Sequence, residues 1–101
     1  MRTTIVGTKF RGANAIATLA KLAPGDILAL RREPDNEFDG NAVAVYSGAV
    51  HLGYVPRDHN AELARVLDAD PHCLSAVLAL QAVTERGAVV FTPKITIAYT
   101  E

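Results

Sequence analysis

Apolar and polar positions along the chain recur with two different periods, and the change of period marks its elements. Thr3-Thr4-Ile5-Val6 is β-branched throughout and stops at Gly7, the pattern of a short strand with a turn or bulge behind it. Over residues 13–22, Ile16, Leu19, Ala20 and Leu22 fall near helical spacing until Pro24-Gly25 ends the run, which predicts a short helix. Pro24-Gly25-Asp26 is turn chemistry, and Ile27-Leu28-Ala29-Leu30-Arg31-Arg32 after it reads as a strand ending at Glu33-Pro34. Residues 33–41, EPDNEFDGN, hold the breakers Pro34, Asp35-Asn36 and Asp39-Gly40 around a lone Phe38 and form a loop. Strands over 42–46 and 50–55 follow, joined by Ser47-Gly48-Ala49 as a hairpin link and closed by Pro56.

A second helix starts at Asp58, or at Pro56-Arg57 before it. It places Leu63, Val66 and Leu67 on one face with Asn60, Glu62 and Arg65 elsewhere, and Asp68-Ala69-Asp70-Pro71 terminates it. The remainder, 74–83 and 88–100 around Glu85-Arg86-Gly87, is rich in Val, Ile, Thr and Leu and reads as a final antiparallel pair. Its last part, Lys94-Ile95-Thr96-Ile97-Ala98-Tyr99, alternates with period two. The Leu and Ala content of 74–80 would also suit a helix. The order β α β β β α β β, with short connections, predicts a mainly β (α+β) fold. It would be a small curled six-stranded sheet or partly open barrel of OB-like or SH3-like kind, with about two short helices.

At 101 residues the chain is expected to be one domain, 1–101, large enough to fold without disulfides or a structural metal. Half of its residues are hydrophobic, so the composition is that of a folded chain. With no Trp, three Tyr and three Phe, the core must be aliphatic and each ring needs its own account. The single Cys73 excludes an internal disulfide and a Cys-rich zinc module, and is expected to be structural. No apolar stretch is long enough for a membrane span and no leader-like segment opens the chain, so a cytoplasmic protein without membrane association is expected. Ten Lys and Arg against eleven Asp and Glu give a net charge of −1. A broad duplex-coating surface is thereby disfavoured, and any polyanion binding must come from a local patch.

Candidate chemistry is sparse. His51, His59 and His72 lack the spacing of a metal-binding helix, and no nucleophile or phosphate-loop motif occurs. No catalytic residue, metal or cofactor is expected. Asp58 reads as a cap or first-turn dipole partner of the second helix. Glu33, Asp35, Glu37 and Asp39 do not have the spacing of a calcium loop and read as a solvated turn. Phe38 resists that reading. A large apolar ring amid four carboxylates must pin the loop to the core or face a ligand, and composition alone favours pinning.

The loop also carries a resemblance. Arg32-Glu33-Pro34-Asp35-Asn36-Glu37-Phe38-Asp39-Gly40-Asn41-Ala42-Val43-Ala44-Val45, followed by Leu52-Gly53-Tyr54-Val55-Pro56-Arg57 and preceded upstream by Ile5-Val6-Gly7, resembles the HIRAN domain from Thr4 to Tyr99. The family's pattern is R-E-P-x-N-x-[YF]-D-x-N-A-[IV]-x-V and then [IV]-G-Y-[IVL]-P. The resemblance implies an OB-like or SH3-like barrel and a nucleic-acid-binding role. The eukaryotic module, part of SWI/SNF-type fork-remodelling translocases, binds the 3′ end of single-stranded DNA.

Carried over position by position, the resemblance implies that Phe38 stacks on a base and that Asp39 accepts a hydrogen bond from a free 3′-hydroxyl. Lys9, Phe10 and Arg11 supply a cation and a ring near the end of the first strand, and Tyr54 and Arg57 a ring and a phosphate contact. Asn36 contacts a base edge or, like Asn41, shapes the loop by an Asx turn. Phe91 offers another ring, on a looser alignment, and Lys94 a further cation. Tyr is usual in the eukaryotic proteins where Phe10 and Phe38 stand here, which keeps stacking and loses hydroxyl contacts. The expected partner is single-stranded DNA at its 3′ end, with a helicase or nuclease as a protein partner. The alternative is a protein-interaction barrel that recruits a DNA-processing partner.

Overall fold

The computed structural model describes residues 1–80, 84–85, 88–89 and 93–100. In chain order the elements are β1 (Arg2–Thr4), a 3-10 turn (Thr8–Phe10), α1 (Ala13–Lys21), β2 (Ile27–Arg32), β3 (Val43–Ser47), β4 (Val50–Tyr54), α2 (Arg57–Ala69), β5 (Leu74–Leu80), β6 (Thr84–Glu85), β7 (Ala88–Val89) and β8 (Lys94–Tyr99). Six of the strands form one antiparallel sheet in the order β1-β8-β5-β2-β3-β4, and β6 and β7 pair with each other separately. The segment 74–80 is a strand, because Ala76 and Leu78 alternate into the core while the backbone pairs with β2 on one side and β8 on the other.

The sheet curls until its two edges meet. Beyond β1 the chain runs on to Val6, which exchanges both backbone hydrogen bonds with Tyr54 at the end of β4, at 2.8 and 2.9 Å. That one antiparallel bridge joins the outermost strands and closes the barrel. It requires Gly53. A Cβ there would stand 2.5 Å from the Val6 carbonyl oxygen and 2.8 Å from Ile5 Cγ2, on a backbone with φ +150°.

The interior is aliphatic, as composition demanded. Ile5, Leu28, Val43, Val45, Leu52, Leu78, Ile95 and Ile97 fill it from the strands. Leu19 of α1 and Leu63, Ala64 and Leu67 of α2 complete it. Each Val, Leu or Ile among them contributes roughly 1.5–3 kcal/mol on burial. α1 packs on β4 and the 3-10 turn, and α2 on β2 and β3.

The buried face of α2 includes Asn60, at 3 % exposure, which corrects its assignment to the polar side of the helix. Asn60 precedes Leu63, Ala64 and Leu67 by three, four and seven residues, so helical geometry sets it on their stripe. Asp58 stands in the first turn of α2, and Pro56, the residue at the cap, makes no side-chain cap bond. Half-buried Cys73 precedes β5, with its thiol 3.7 Å from the Val66 carbonyl.

Candidate nucleic-acid interface

The loop between β2 and β3 braces itself with its own polar side chains. Asn36 Oδ1 accepts the backbone N–H groups of Phe38 (2.9 Å) and Asp39 (3.0 Å), an Asx turn, while its Nδ2 donates to Glu33 Oε1 (3.1 Å). Asp39 Oδ1 accepts the N–H of Asn41 (2.9 Å), so the turn at Asn41 is made by the aspartate and not by the asparagine. Glu33 also accepts the Tyr54 hydroxyl at 2.8 Å, tying the loop to β4. Arg32 donates to the Ala42 carbonyl and forks onto both carboxylate oxygens of Asp68 on α2, tying the loop's base to that helix. The motif side chains of Arg32, Glu33, Asn36, Asp39 and Tyr54 are therefore engaged in shaping one hydrogen-bonded turn.

Phe38 is what the turn presents. Its backbone is held at both ends, since its N–H goes to Asn36 and its carbonyl accepts from Arg57 Nη2 at 3.0 Å. The residue is 79 % exposed. The structure thus overturns the expectation of a core-pinning ring: hydrogen bonds hold the loop, and the ring is left outside. Such exposure of a large apolar side chain on a braced loop is informative in a way that a buried ring is not.

Behind Phe38 lies an open cleft of about 620 Å³. Val6, Tyr54 and Val55 form the barrel side of the cleft, the loop from Asp35 to Asp39 faces them with the carboxylates of Asp35 and Glu37 as well as Asp39, and Arg11, Ala42, Arg57 and Asn60 complete the wall. It sits over the closing bridge, so the strain-sensitive seam of the barrel is also the floor of the site. The Arg11 guanidinium lies 5.7 Å from the Tyr54 ring centroid. Lys9 and Phe10 do not line the cleft. They sit on the exposed 3-10 turn beside it, with Lys9 Nζ 5.1 Å from the Phe10 ring centroid and Phe10 72 % exposed. Lys94 begins β8 and is also outside the wall. Phe91 lies outside the described residues. Among the described residues no three His, Cys, Asp or Glu side chains are gathered as a metal site would need.

Asp39 is the carboxylate nearest to chemistry. Besides Asn41 it accepts Asn60 Nδ2 at 2.7 Å, and Arg57 Nε stands 3.7 Å from the same oxygen. These two hydrogen bonds leave about half of a carboxylate's four acceptor positions open. The Asn41 N–H, then Asn60, hold its pKa below the ordinary aspartate value, with partial burial opposing and Arg57 assisting. Tyr54 is pushed the other way by burial and by its bond to Glu33, so it remains a protonated donor. His51, within β4, has its pKa lowered chiefly by desolvation, against the bond that its Nε2–H donates to the Gly53 carbonyl at 3.0 Å.

Asn60 was the residue the sequence reading missed as a site component. Its signal was a polar side chain on the apolar stripe of α2. Asn60→Ala is expected to destabilise the fold by about 1.5–3 kcal/mol, the usual loss for a buried hydrogen bond to a charged group. It should also move the Asp39 titration midpoint up toward that of a free aspartate. Because the folded pKa is the lower one, the Asp39 contribution is present above the unfolded value of about 3.9 and is lost as pH falls through the folded value. Carboxyl NMR titrations and urea melts of both proteins check the two effects.

The family model for the HIRAN domain matches residues 1–91. The chain belongs to the HIRAN domain family. A crystal structure of a protein from Lactobacillus plantarum superposes with a TM-score of 0.77 at 25 % identity, covering 95 % of this chain and 87 % of that one. The HIRAN domain of human HLTF superposes with a TM-score of 0.74 at 19 % identity, covering 98 % of this chain and 73 % of that one. No curated protein matches the chain. The HIRAN fold is the curled antiparallel barrel with two helices described above, and membership makes nucleic acid the ligand class against which the cleft is read.

Proposed function

We propose that this HIRAN domain is a non-catalytic module that binds single-stranded DNA at its 3′-hydroxyl end, in the cleft beside Phe38. The observation that carries the reading is an exposed aromatic ring on a hydrogen-bonded loop, beside two arginines and three loop carboxylates, of which Asp39 is the one held by hydrogen bonds at the cleft wall. Phe38 stacks on an unpaired base, a contact worth about 1–3 kcal/mol. Arg57, with 72 % of its side chain exposed, and Arg11 meet phosphate oxygens. Lys9 and Phe10 extend the cation-and-ring surface along the adjoining turn. Asn36 acts through the loop it shapes, and Tyr54 through the wall it forms.

Asp39 gives the end preference. A carboxylate repels a continuing phosphodiester strand, but it accepts a hydrogen bond from a terminal hydroxyl. The module would then deliver a helicase or nuclease partner to strand ends. Fluorescence anisotropy with two oligonucleotides, one ending in a 3′-hydroxyl and one in a 3′-phosphate, tests this. The hydroxyl form should bind about tenfold tighter or more, the scale of one charge-assisted hydrogen bond. Asp39→Asn should shrink the difference. Asparagine keeps the acceptor for the Asn41 N–H, which alanine would not, while its Nδ2 requires the Asn60 amide to turn and present its oxygen. Equal affinity of the wild-type protein for both ends would remove the end-reading role.

A further inference from the structure

A row of side chains leaves the cleft across the outer face of β2, β3 and β4. Tyr46 and His51 face each other across the hairpin and their rings stack, 4.8 Å apart and 10° from parallel. His51 meets Tyr54 edge-on at 4.8 Å. The register shift between Val45 and Tyr46 lets this happen: Val45 pairs with Gly53 and Tyr46 with His51, so Leu52 is an extra residue and the strand alternation slips by one. His51 and Tyr54, three apart, then share a face. At the far end Arg31, which pairs with Ala44 on β3, reaches diagonally to put its guanidinium carbon 4.1 Å from the Tyr46 ring centroid. Ala44, on the same face, is fully buried beneath this roof.

Within the row the rings are occupied by one another, so they are not free platforms for bases. What the row holds out is charge. Arg11 stands at one end, on the cleft wall, and Arg31 at the other, with steps of 4.1 to 5.7 Å between successive members. Neither arginine has a carboxylate within ion-pair distance among the described residues, whereas the adjacent Arg32 is forked onto Asp68. A guanidinium laid on a ring keeps its in-plane N–H donors for a ligand, and its position is fixed in advance.

We infer that the DNA strand does not end its contact at the cleft but continues along this row, with Arg31 binding a phosphate several nucleotides from the 3′ end. Two features support that occupant: the row shares Tyr54 and Arg11 with the cleft, and its cations match a polyanion. Small barrels that bind single strands commonly cover about 4 nucleotides or more, beyond what one stacked base at Phe38 accounts for. The inference rests on the proposed single-strand function and lengthens its footprint.

Binding of 3′-hydroxyl oligonucleotides two and six nucleotides long to wild-type and Arg31→Gln protein tests it, with thermal melts to show that this exposed substitution leaves the fold intact. The hexamer should bind wild type more tightly than the dimer. Arg31→Gln should weaken the hexamer about three- to fivefold at low salt, lower the magnitude of its salt slope by about 0.7, and leave the dimer unchanged. No loss on the hexamer, equal loss on both lengths, or equal affinity of wild type for the two would overturn the extended path while leaving the cleft reading intact. Absence of binding to either by wild type would overturn both. An Arg31-dependent complex with a labelled hexaglutamate peptide, without Arg31 dependence for the hexamer, would reassign the row to an acidic protein partner.

Discussion

Gly53→Ala is expected to cost about 3 kcal/mol or more of stability, lowering the melting temperature by at least about 12 °C in a domain of this size. The Cβ it adds would lie 2.5 Å from the Val6 carbonyl and 2.8 Å from Ile5 Cγ2, and both obstacles are parts of the seam that closes the barrel. Neither can retreat easily. The Val6 carbonyl accepts the Tyr54 N–H, and Ile5 is a buried core residue at 1 % exposure. The positive φ of +150° adds strain of order 1–3 kcal/mol for any residue with a side chain. Gly40→Ala is the matched control. A Cβ at Gly40 meets nothing within 4 Å and its backbone is not in the positive-φ range, so that change should fall within about 1 kcal/mol of wild type. Parallel urea and thermal melts of the two variants decide the matter, and equal stabilities would refute the seam as the point of closure. The seam is also the floor of the cleft, so Gly53→Ala should weaken ligand binding even at temperatures where the variant is folded.

The glycine illustrates how far the sequence could be read. Leu52-Gly53-Tyr54-Val55-Pro56 was visible as a strand with a family motif in it, but nothing local shows that Gly53 faces Val6 from the opposite edge of the sheet. Sheet closure is a non-local pairing, and period-two alternation is silent about which strands become neighbours. Strand identity was legible wherever alternation is strong, as in β8, where Ile95 and Ile97 point inward and Lys94 and Thr96 do not. It held even for β5, where Leu and Ala content suited a helix, because pairing on both sides overrides propensity.

Side-chain roles were harder to read. For Asn36 the sequence leaves a base-edge contact and a turn-forming role both open, and its amide oxygen is engaged in the second, capping the Phe38 and Asp39 N–H groups. For Phe38, composition alone favours the core because apolar rings usually are buried, whereas the family resemblance sets it against a base; the hydrogen bonds within the loop show that no ring is needed to hold it. Asn60 was hidden by treating polarity as exposure, although its spacing from Leu63 and Leu67 put it on the buried stripe. The continuity of the Arg31–Tyr46–His51 row with Tyr54 could not be read, because the extra Leu52 sets His51 and Tyr54, three residues apart, on one face and leaves no mark in the alternation.

Phe38→Ala is expected to lower affinity for single-stranded DNA about 5- to 150-fold, the range for loss of one stacked base, while leaving the melting temperature unchanged. Both halves follow from one geometry. The loop is braced through the Phe38 backbone and through Asn36, Asp39, Glu33 and Arg57, none of which the substitution touches. The ring buries little, so its removal opens no cavity. Phe38→Tyr retains the aromatic face and should retain most of the affinity. A ring that stabilised the fold would give the opposite pattern, with a lower melting temperature and unaltered binding. The most direct measurement is therefore paired: anisotropy titration of a 3′-hydroxyl oligonucleotide and a thermal melt, on wild type and Phe38→Ala. Loss of binding with an unchanged melt is the predicted result. Unchanged binding, or a melt lowered in step with binding, would contradict the account.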